Sequence, residues 1–452
     1  MPAEPNNTHH VVLFYLYKEL ESPESLRSDF KAMCNANDVT GRLLLSKEGV
    51  NGNLGTRSKE KMDALLSFIE THPTLGGQHI DYKMDVSMHK PFPDLRIEVV
   101  KEIVATGNAM PLSLLTEKKL GGKHLTPKQF HETLASYFEC TGTEDPNKKP
   151  LYLIDVRNRK EIKFGHFKNA VDSNTKMFSE WAVHFAAKRA EEMKNSKVLM
   201  YCTGGVRCEK ASAYLKSLGV EDVNQLQGGI HRYLEEYGAG GYFVGSNFVF
   251  DSRGLQKPRG AETIARCFHC HGLNEQLSSD RVCAVCRDSI VVCDACRIKF
   301  KGAYYCDAHK ELQGVYFYFL EDLFTFEELK QQAQELKKLC LPGGAYFGVA
   351  FRNRRRSIRK QLDRIAGILN NPEEEWVVER KLKSQSRCRS CGLPSRALMS
   401  MLAQKMHTRD STKAEDSVEE YCDGNCFGFF MPERRKKGYI NLLAKQTDGE
   451  GT

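Results

Sequence analysis

The chain has 452 residues, enough for roughly three domains, and its 41% hydrophobic and 27% charged content is that of an ordinary globular protein, not of a disordered or fibrous one. A net charge of +8 permits a nucleic-acid partner and favours an anionic substrate over a basic one, without specifying either. No apolar run is long enough to span a membrane, the amino-terminal MPAEPNNTHH lacks the basic-then-apolar layout of a secretory signal, and many of the sixteen cysteines stand at metal-ligand spacing, so we expect reduced thiols in a cytoplasmic or nuclear protein.

Taken in order, VVLFYLY predicts a buried strand and SPESLRSDFKAMCNAN a helix opened by Ser22 and Pro23. GRLLLS and VNGNLGT predict two strands joined by a turn around Gly49. SKEKMDALLSFIETHP has helical apolar spacing at Met62, Leu65, Leu66 and Ile69, and HIDYKMDVSM and LRIEVV close the unit as strands. This βαββαβ order predicts a ferredoxin-like α+β domain over 1–104, a scaffold that by itself says nothing of function. Residues 105–125, with Gly107, Pro111, Gly121 and Gly122, read as a linker. From 126 to 240 the apolar strands LYLIDVRN, KVLMYC and DVNQLQGG alternate with helices such as CEKASAYLKSLG, stopped by Gly219, which predicts an α/β domain on a parallel sheet. A small cysteine-rich module over 241–312 and a mixed extension over 313–452 follow. The extension carries helix-like FEELKQQAQELKKL and basic FRNRRRSIRKQLDR.

The segment YCTGGVRCEKAS concentrates chemistry. Cys202 ends an apolar strand, and a helix is expected to begin near Cys208 or Glu209. Thr203, Gly204, Gly205, Val206 and Arg207 form the loop between them. Its glycines let successive backbone N–H groups turn inward as a nest for negative charge. The helix N-terminus and the Arg207 guanidinium add to that field, so all three favour thiolate over thiol at Cys202. The bland reading, a buried thiol at a strand end, is common for cysteine, but it leaves the glycines and Arg207 unexplained.

LYLIDVRN, GHFKNAV, VLMYCTGGVRCEKASAYL and LQGGIHRYLEEYG together resemble a rhodanese domain, in the right order. More narrowly, YCTGG-R-CEKASAY, GRLLLSKEGVNGNL, LRIEVVKEIVATG and GSNFVFDSR resemble the rhodanese-type tRNA uridine hydroxylases, including that family's acylphosphatase-like N-terminal domain. The resemblance covers about residues 10–310. It implies oxygen-dependent conversion of the wobble uridine of tRNA to 5-hydroxyuridine, with Cys202 at the catalytic position, O2 as co-substrate and an electron donor that the residues do not identify. Related rhodanese-fold phosphatases use a loop one residue longer, so the C-x4-R count disfavours phosphatase chemistry.

Two routes stand open for Cys202: addition of the thiolate to uracil C6, or oxidation of the thiol to a species that delivers oxygen. Two also stand open for Cys208: a resolving thiol, or a bystander packed under the loop. Asp155 and Arg157 are expected to pair as the loop floor, Gly228 and Gly229 to make a turn, and His166 to be architectural.

Cys267-x2-Cys270, Cys283-x2-Cys286, Cys293-x2-Cys296 and Cys306-x2-His309 supply eight ligands, enough for two closed tetrahedral zinc sites of structural type. The pairs join either sequentially or as a cross-brace, and His269 or His271 could replace a cysteine. Cys388, Cys391, Cys422 and Cys426 suggest a third zinc, while Cys34, Cys140 and Cys340 are expected to be packing residues. Basic tracts at 157–168, 352–360 and 433–437 fit a tRNA partner. A sulfurtransferase carrying a persulfide on Cys202 is the alternative enzyme, and a non-catalytic RNA-binding protein the third reading.

Overall fold

A computed structural model describes residues 8–139, 148–277, 281–284, 288–300, 304–310 and 326–344, with seven further positions between 355 and 369. The chain forms two compact units, Met1–Ala265 and Arg266–Thr452. Cys140, Cys286, the expected third zinc set Cys388, Cys391, Cys422 and Cys426, and the basic tracts at 352–360 (Arg355 and Ile358 apart) and 433–437 lie outside the described residues.

The first unit begins with β1 (His9–Tyr17), whose alternation assigns its two faces. Val12 and Phe14 enter a core with Leu43, Leu45, Val50 and Leu54, whereas Leu13, Tyr15 and Tyr17 project from the other face. Helix α1 (Pro23–Ala36) starts where Ser22 and Pro23 predict: the Ser22 side chain accepts from the Ser25 N–H, and Leu26, Phe30 and Cys34 are buried. The hairpin β2 (Thr40–Ser46) and β3 (Gly49–Thr56) closes with Ser46 opposite Gly49. Gly49 has φ +137°, and a Cβ there would lie 2.0 Å from the Leu16 carbonyl oxygen. Helix α2 (Lys59–Thr71) buries Met62, Leu65 and Ile69, the spacing seen in the sequence. Strands β4 (Lys83–Ser87) and β5 (Leu95–Val99) take opposite edges, giving the order β4-β1-β3-β2-β5. The β4-β1-β3-β2 core has the expected ferredoxin-like order, and β5 pairs parallel to β2.

Residues 105–125, read from sequence as a linker, contain α3 (Ser113–Thr116) and β6 (Lys123–Leu125), and β6 is the edge strand of the second sheet. Glycine-rich composition hid this strand because it is short and pairs only with a distant segment. Then follow α4 (Pro127–Phe138), β7 (Leu151–Asp155), α5 (Arg159–Ile162), β8 (Gly165–Phe167), β9 (Val171–Asp172), α6 (Ala187–Met193), β10 (Lys197–Tyr201), α7 (Val206–Ser217), β11 (Val223–Leu226) and α8 (Gly229–Tyr237). The sheet order is β6-β11-β10-β7-β9 and every pairing is parallel. Central β10 is buried on both sides: Val198 and Met200 join the Trp181 and Phe185 cluster, while Leu199 and Tyr201 join Phe130, Phe167 and Tyr233. Short strands β12 (Phe243–Gly245), β13 (Asn247–Phe248) and β14 (Leu255–Gln256) complete the unit, β12 pairing with β8. The first unit extends to Ala265.

The two sheets of this unit are locked across their interface. Lys210 of α7, 1% exposed, reaches Glu48 Oε2 at 2.7 Å and Glu102 Oε1 at 3.1 Å. Arg232 of α8 donates to Asp81 Oδ1 at 2.8 Å and to the Tyr82 carbonyl at 2.7 Å. Arg253 pairs with Asp251 and with Asp85. In the second unit, α9 (Asp294–Phe300) and α10 (Phe326–Cys340) are the described helices longer than one turn, and Leu329 and Leu336 of α10 pack in one cluster with Cys267, Cys283, Cys296 and Tyr304. No helix among the described residues is long and apolar enough to cross a membrane.

Removing one member of a buried ion pair strands the other charges. Lys210→Met should therefore cost about 3–5 kcal/mol, read as a lowered urea midpoint of unfolding, while the exposed-pair variant Lys128→Met should leave the midpoint near that of the wild type.

Candidate active site

The carboxyl ends of parallel strands are where an open α/β sheet presents chemistry. Cys202 lies there, one residue past β10, and α7 follows it. The helix begins at Val206, two residues earlier than the sequence suggests, because Gly205 sits at φ +102° and turns the chain directly into the first helical turn. Arg207 and Cys208 are consequently first-turn residues, and Thr203, Gly204 and Gly205 alone make the tight loop. Gly229 supports it from below, where a Cβ would lie 2.5 Å from the Cys202 carbonyl oxygen and 2.8 Å from the Gly204 nitrogen. The Ile230 and His231 amides donate to the Cys202 and Thr203 carbonyls at 2.9 and 3.1 Å. The Gly228–Gly229 pair is therefore a close-packing device as well as a turn.

Cys202 is fully buried. Burial alone raises a thiol's pKa, yet here it is lowered to about 5, because the Cys208 side-chain hydrogen bond, the Arg207 charge and the Arg207 and Gly205 backbone amides together outweigh burial. The Gly205 N–H lies 3.1 Å from Cys202 Sγ. Cys208 moves the opposite way: burial, then its hydrogen bond to Cys202 and that neighbour's charge, hold it well above an ordinary thiol. It therefore stays protonated and donates to the Cys202 thiolate.

Glu161 is the site residue that the sequence reading missed. It is fully buried, takes Arg207 Nη1 and Nη2 at 2.8 Å each, and accepts from Thr203 Oγ1 at 3.3 Å. Burial would raise its pKa, but Arg207 lowers it, so it remains a carboxylate. The signal that could have found it is N-x-x-E at Asn158–Glu161, where the Asn158 backbone amide donates to Glu161 Oε2 at 3.1 Å as in a capping box. Asp155 and Arg157 form a second buried pair at 2.7 Å, and Arg157 also donates to the Gly165 carbonyl at 2.6 Å. His166 Nδ1 lies 3.0 Å from the Phe167 carbonyl oxygen, in β8. The N-terminal domain reaches the loop too: Tyr15 donates to Glu209 at 3.0 Å and Tyr17 to the Val206 carbonyl at 3.1 Å.

In the second unit the cysteine pairs alternate. Cys267, Cys270, Cys293 and Cys296 bring their sulfurs together, and Cys283, Cys306 and His309 form the other cluster, with all ligand atoms of a cluster within 4.8 Å of one another. This is the cross-brace arrangement of the two left open by sequence. Four thiols in one cluster, and two thiols with an imidazole in the other, are donor sets suited to a tetrahedral metal ion. His269 stacks on Phe300 at 3.9 Å and His271 has φ +59°, and neither belongs to a cluster.

A doubly packed parallel sheet with a thiolate-stabilising loop at its carboxyl edge defines a rhodanese-type domain, here preceded by an acylphosphatase-like one. Comparison with known proteins agrees: residues 9–103 match the UPF0176 acylphosphatase-like domain, 142–236 the rhodanese-like domain and 244–309 the rhodanase C-terminal domain. Over 294 residues the chain is 33% identical to a tRNA uridine(34) hydroxylase of Wolbachia pipientis wMel, covering 64% of this chain and 96% of that protein. A tRNA uridine(34) hydroxylase of Corynebacterium kroppenstedtii matches at 33% over 65% of this chain and 95% of its own. Rhodanese-like domain-containing protein 6 of Arabidopsis thaliana is 34% identical over 81% of this chain, which spans 64% of that longer protein. The chain belongs to the tRNA uridine(34) hydroxylase family.

A thiol with a pKa of about 5 reacts as its thiolate throughout the neutral range. Alkylation of Cys202 by iodoacetamide, located by mass spectrometry, should be flat above about pH 6 and fall about tenfold per unit well below the midpoint. Arg207→Met should move the midpoint upward.

Proposed function

We propose that this protein hydroxylates the wobble uridine of tRNA at C5, with Cys202 as the reacting group. The observation that carries this reading is the lowered pKa of a buried thiol inside a loop whose amides, arginine and neighbouring thiol all favour its anion. Family membership points to the same substrate.

Uracil C5 is a poor partner for oxygen until a nucleophile adds at C6 and places electron density on C5. The Cys202 thiolate is suited to form that C6–S bond, and the loop amides with Arg207 to hold the negative charge that develops. Loss of the C5 proton with expulsion of the thiolate restores the ring once oxygen is installed. The balance requires O2 and two electrons with two protons from a donor, giving the hydroxylated base and one water. Cys208, protonated and hydrogen-bonded to Cys202, keeps the thiolate from drifting toward a neutral thiol.

A persulfide-carrying sulfurtransferase uses the same loop length, and sulfur demand separates the two. Nucleoside mass spectrometry of tRNA from cells lacking this protein should show the loss of 5-hydroxyuridine-type nucleosides, with return on expression of wild type but not of Cys202→Ala. Unchanged nucleosides together with Cys202-dependent persulfide transfer from thiosulfate would instead establish the sulfur carrier.

The two cysteine clusters are assigned to structural zinc, with Cys286 as the fourth ligand beside Cys283, Cys306 and His309. With four protein ligands at each site, the ions would be structural and leave no coordination place for substrate. Elemental analysis of purified Cys293→Ser should find one zinc per chain fewer than the wild type, and chelation should release both ions with loss of the second unit's protease resistance.

A further inference from the structure

Strand β4, KMDVS, is turned the unexpected way. Lys83 and Ser87 are buried, whereas Met84 and Val86 are 37% and 56% exposed. A solvent-facing edge strand ordinarily buries its apolar set and exposes its charges. The inversion follows from position: Lys83 pairs with Leu13 of β1, and this face of the sheet lies on the thiol loop. A Cβ built on Gly204 would meet Leu13 Cδ2 at 2.8 Å and Lys83 Cδ at 3.8 Å, and one on Gly205 would meet the Tyr15 hydroxyl at 2.8 Å.

The Lys83 side chain is 0% exposed. Its Nζ lies 2.9 Å from Asp81 Oδ2, donates to the Asp81 carbonyl at 3.1 Å and stands 5.0 Å above the Tyr15 ring. Asp81 is claimed as well by Arg232 of α8, so the rhodanese domain holds the very residue that orients Lys83. Burying an ion pair contributes little stability over an apolar pair of the same size, and Lys83, Asp81 and Arg232 carry two positive charges against one negative. Arg207, by contrast, is matched one for one by Glu161. Arg232 also meets Glu235, but at a half-exposed helix surface where solvent screens the pair.

We propose that Lys83 is a positioning residue of the thiol centre: the N-terminal domain lays this buried ammonium along the loop, where its charge favours the Cys202 anion, so the reactive site is shared by two domains. This deepens the reading in which Cys202 reacts, and it holds for either hydroxylation or sulfur transfer. The titratable groups that face Cys202 are Arg207 and Cys208 from α7, Tyr15 and Tyr17 from β1, and Lys83 from β4. Behind them Glu161 and Asp155 stand against arginines, Glu209 against His124, Lys210 against Glu48 and Glu102, and His231 against Glu235. Both tyrosines are held neutral, first by burial and then by neighbouring carboxylates. Burial lowers the Lys83 pKa, and Asp81 and then Cys202 act to raise it; Lys83 is the cation that the N-terminal domain sets beside the thiol loop.

The test is the pH dependence of Cys202 alkylation by iodoacetamide in the full chain, read as a midpoint and a plateau rate. The plateau reports access and the midpoint reports charge. Lys83→Met should raise the midpoint by about one unit, so that the rate at a pH below both midpoints falls about tenfold, and Lys83→Arg should restore it. Lys83→Gln, a polar neutral substitute, should raise the midpoint as Lys83→Met does. A rise with both neutral variants and recovery with Lys83→Arg identify a charge effect. A Lys83→Met midpoint identical to wild type while Arg207→Met raises it, or a Lys83→Arg midpoint that stays raised, would overturn the proposal and leave Lys83 as a domain clamp. If tRNA nucleosides prove independent of this protein while these shifts are observed, the hydroxylase reading fails and this one stands.

Discussion

The bidentate Arg207–Glu161 pair is the interaction on which the rest of the site depends. A fully buried carboxylate fixes a nearly buried guanidinium by two 2.8 Å contacts, and that guanidinium is the full positive charge of α7's first turn beside Cys202. Neither charge is tolerable alone in such surroundings. Together they make a preorganised field that needs no rearrangement when negative charge forms nearby. Glu161 is delivered by a single helical turn after β7, and Arg207 by the helix after β10. The parallel order of those two strands is therefore a condition of the chemistry as well as of the fold.

Around this pair the loop is built from absences of side chain. Gly205 supplies the left-handed φ that starts α7 at once, and Gly229 lets α8 come within backbone contact of Cys202 and Thr203. Gly204 and Gly205 leave room for Leu13, Tyr15 and Lys83 of the N-terminal domain. The thiol residue is consequently closely packed, with the Arg207 charge, the Gly205 N–H and the Cys208 thiol beside it. Cys208, by contrast, keeps its proton because of burial, its hydrogen bond to Cys202 and that neighbour's charge.

The cysteine-rich module in the second unit solves a separate problem. A short segment with few apolar residues cannot hold a fold by burial alone, and alternate cysteine pairs gathered into two clusters bring four chain segments to where a metal ion in each would cross-link them. Leu329 and Leu336 of α10 share a hydrophobic cluster with Cys267, Cys283 and Tyr304, so the extension beyond the family match contributes to that core.

The sequence by itself determined the local events. Ser22–Pro23 and Ser58 start helices, apolar periodicity places Met62, Leu65 and Ile69 inside, and C-T-G-G-V-R-C after an apolar strand marks the thiol loop, because caps, turns and periodicity act over a few residues. Which cysteine pairs come together, whether residues 123–125 join a sheet, and which acid faces Arg207 were decided by tertiary structure. Each of these joins segments between 23 and about 100 residues apart, and nothing in local spacing chooses among several acids or thiols of equal chemistry. Lys83 is the extreme case: a lysine in a strand reads as a solvent-facing charge, and only the docking of two domains buries it beside the thiol loop.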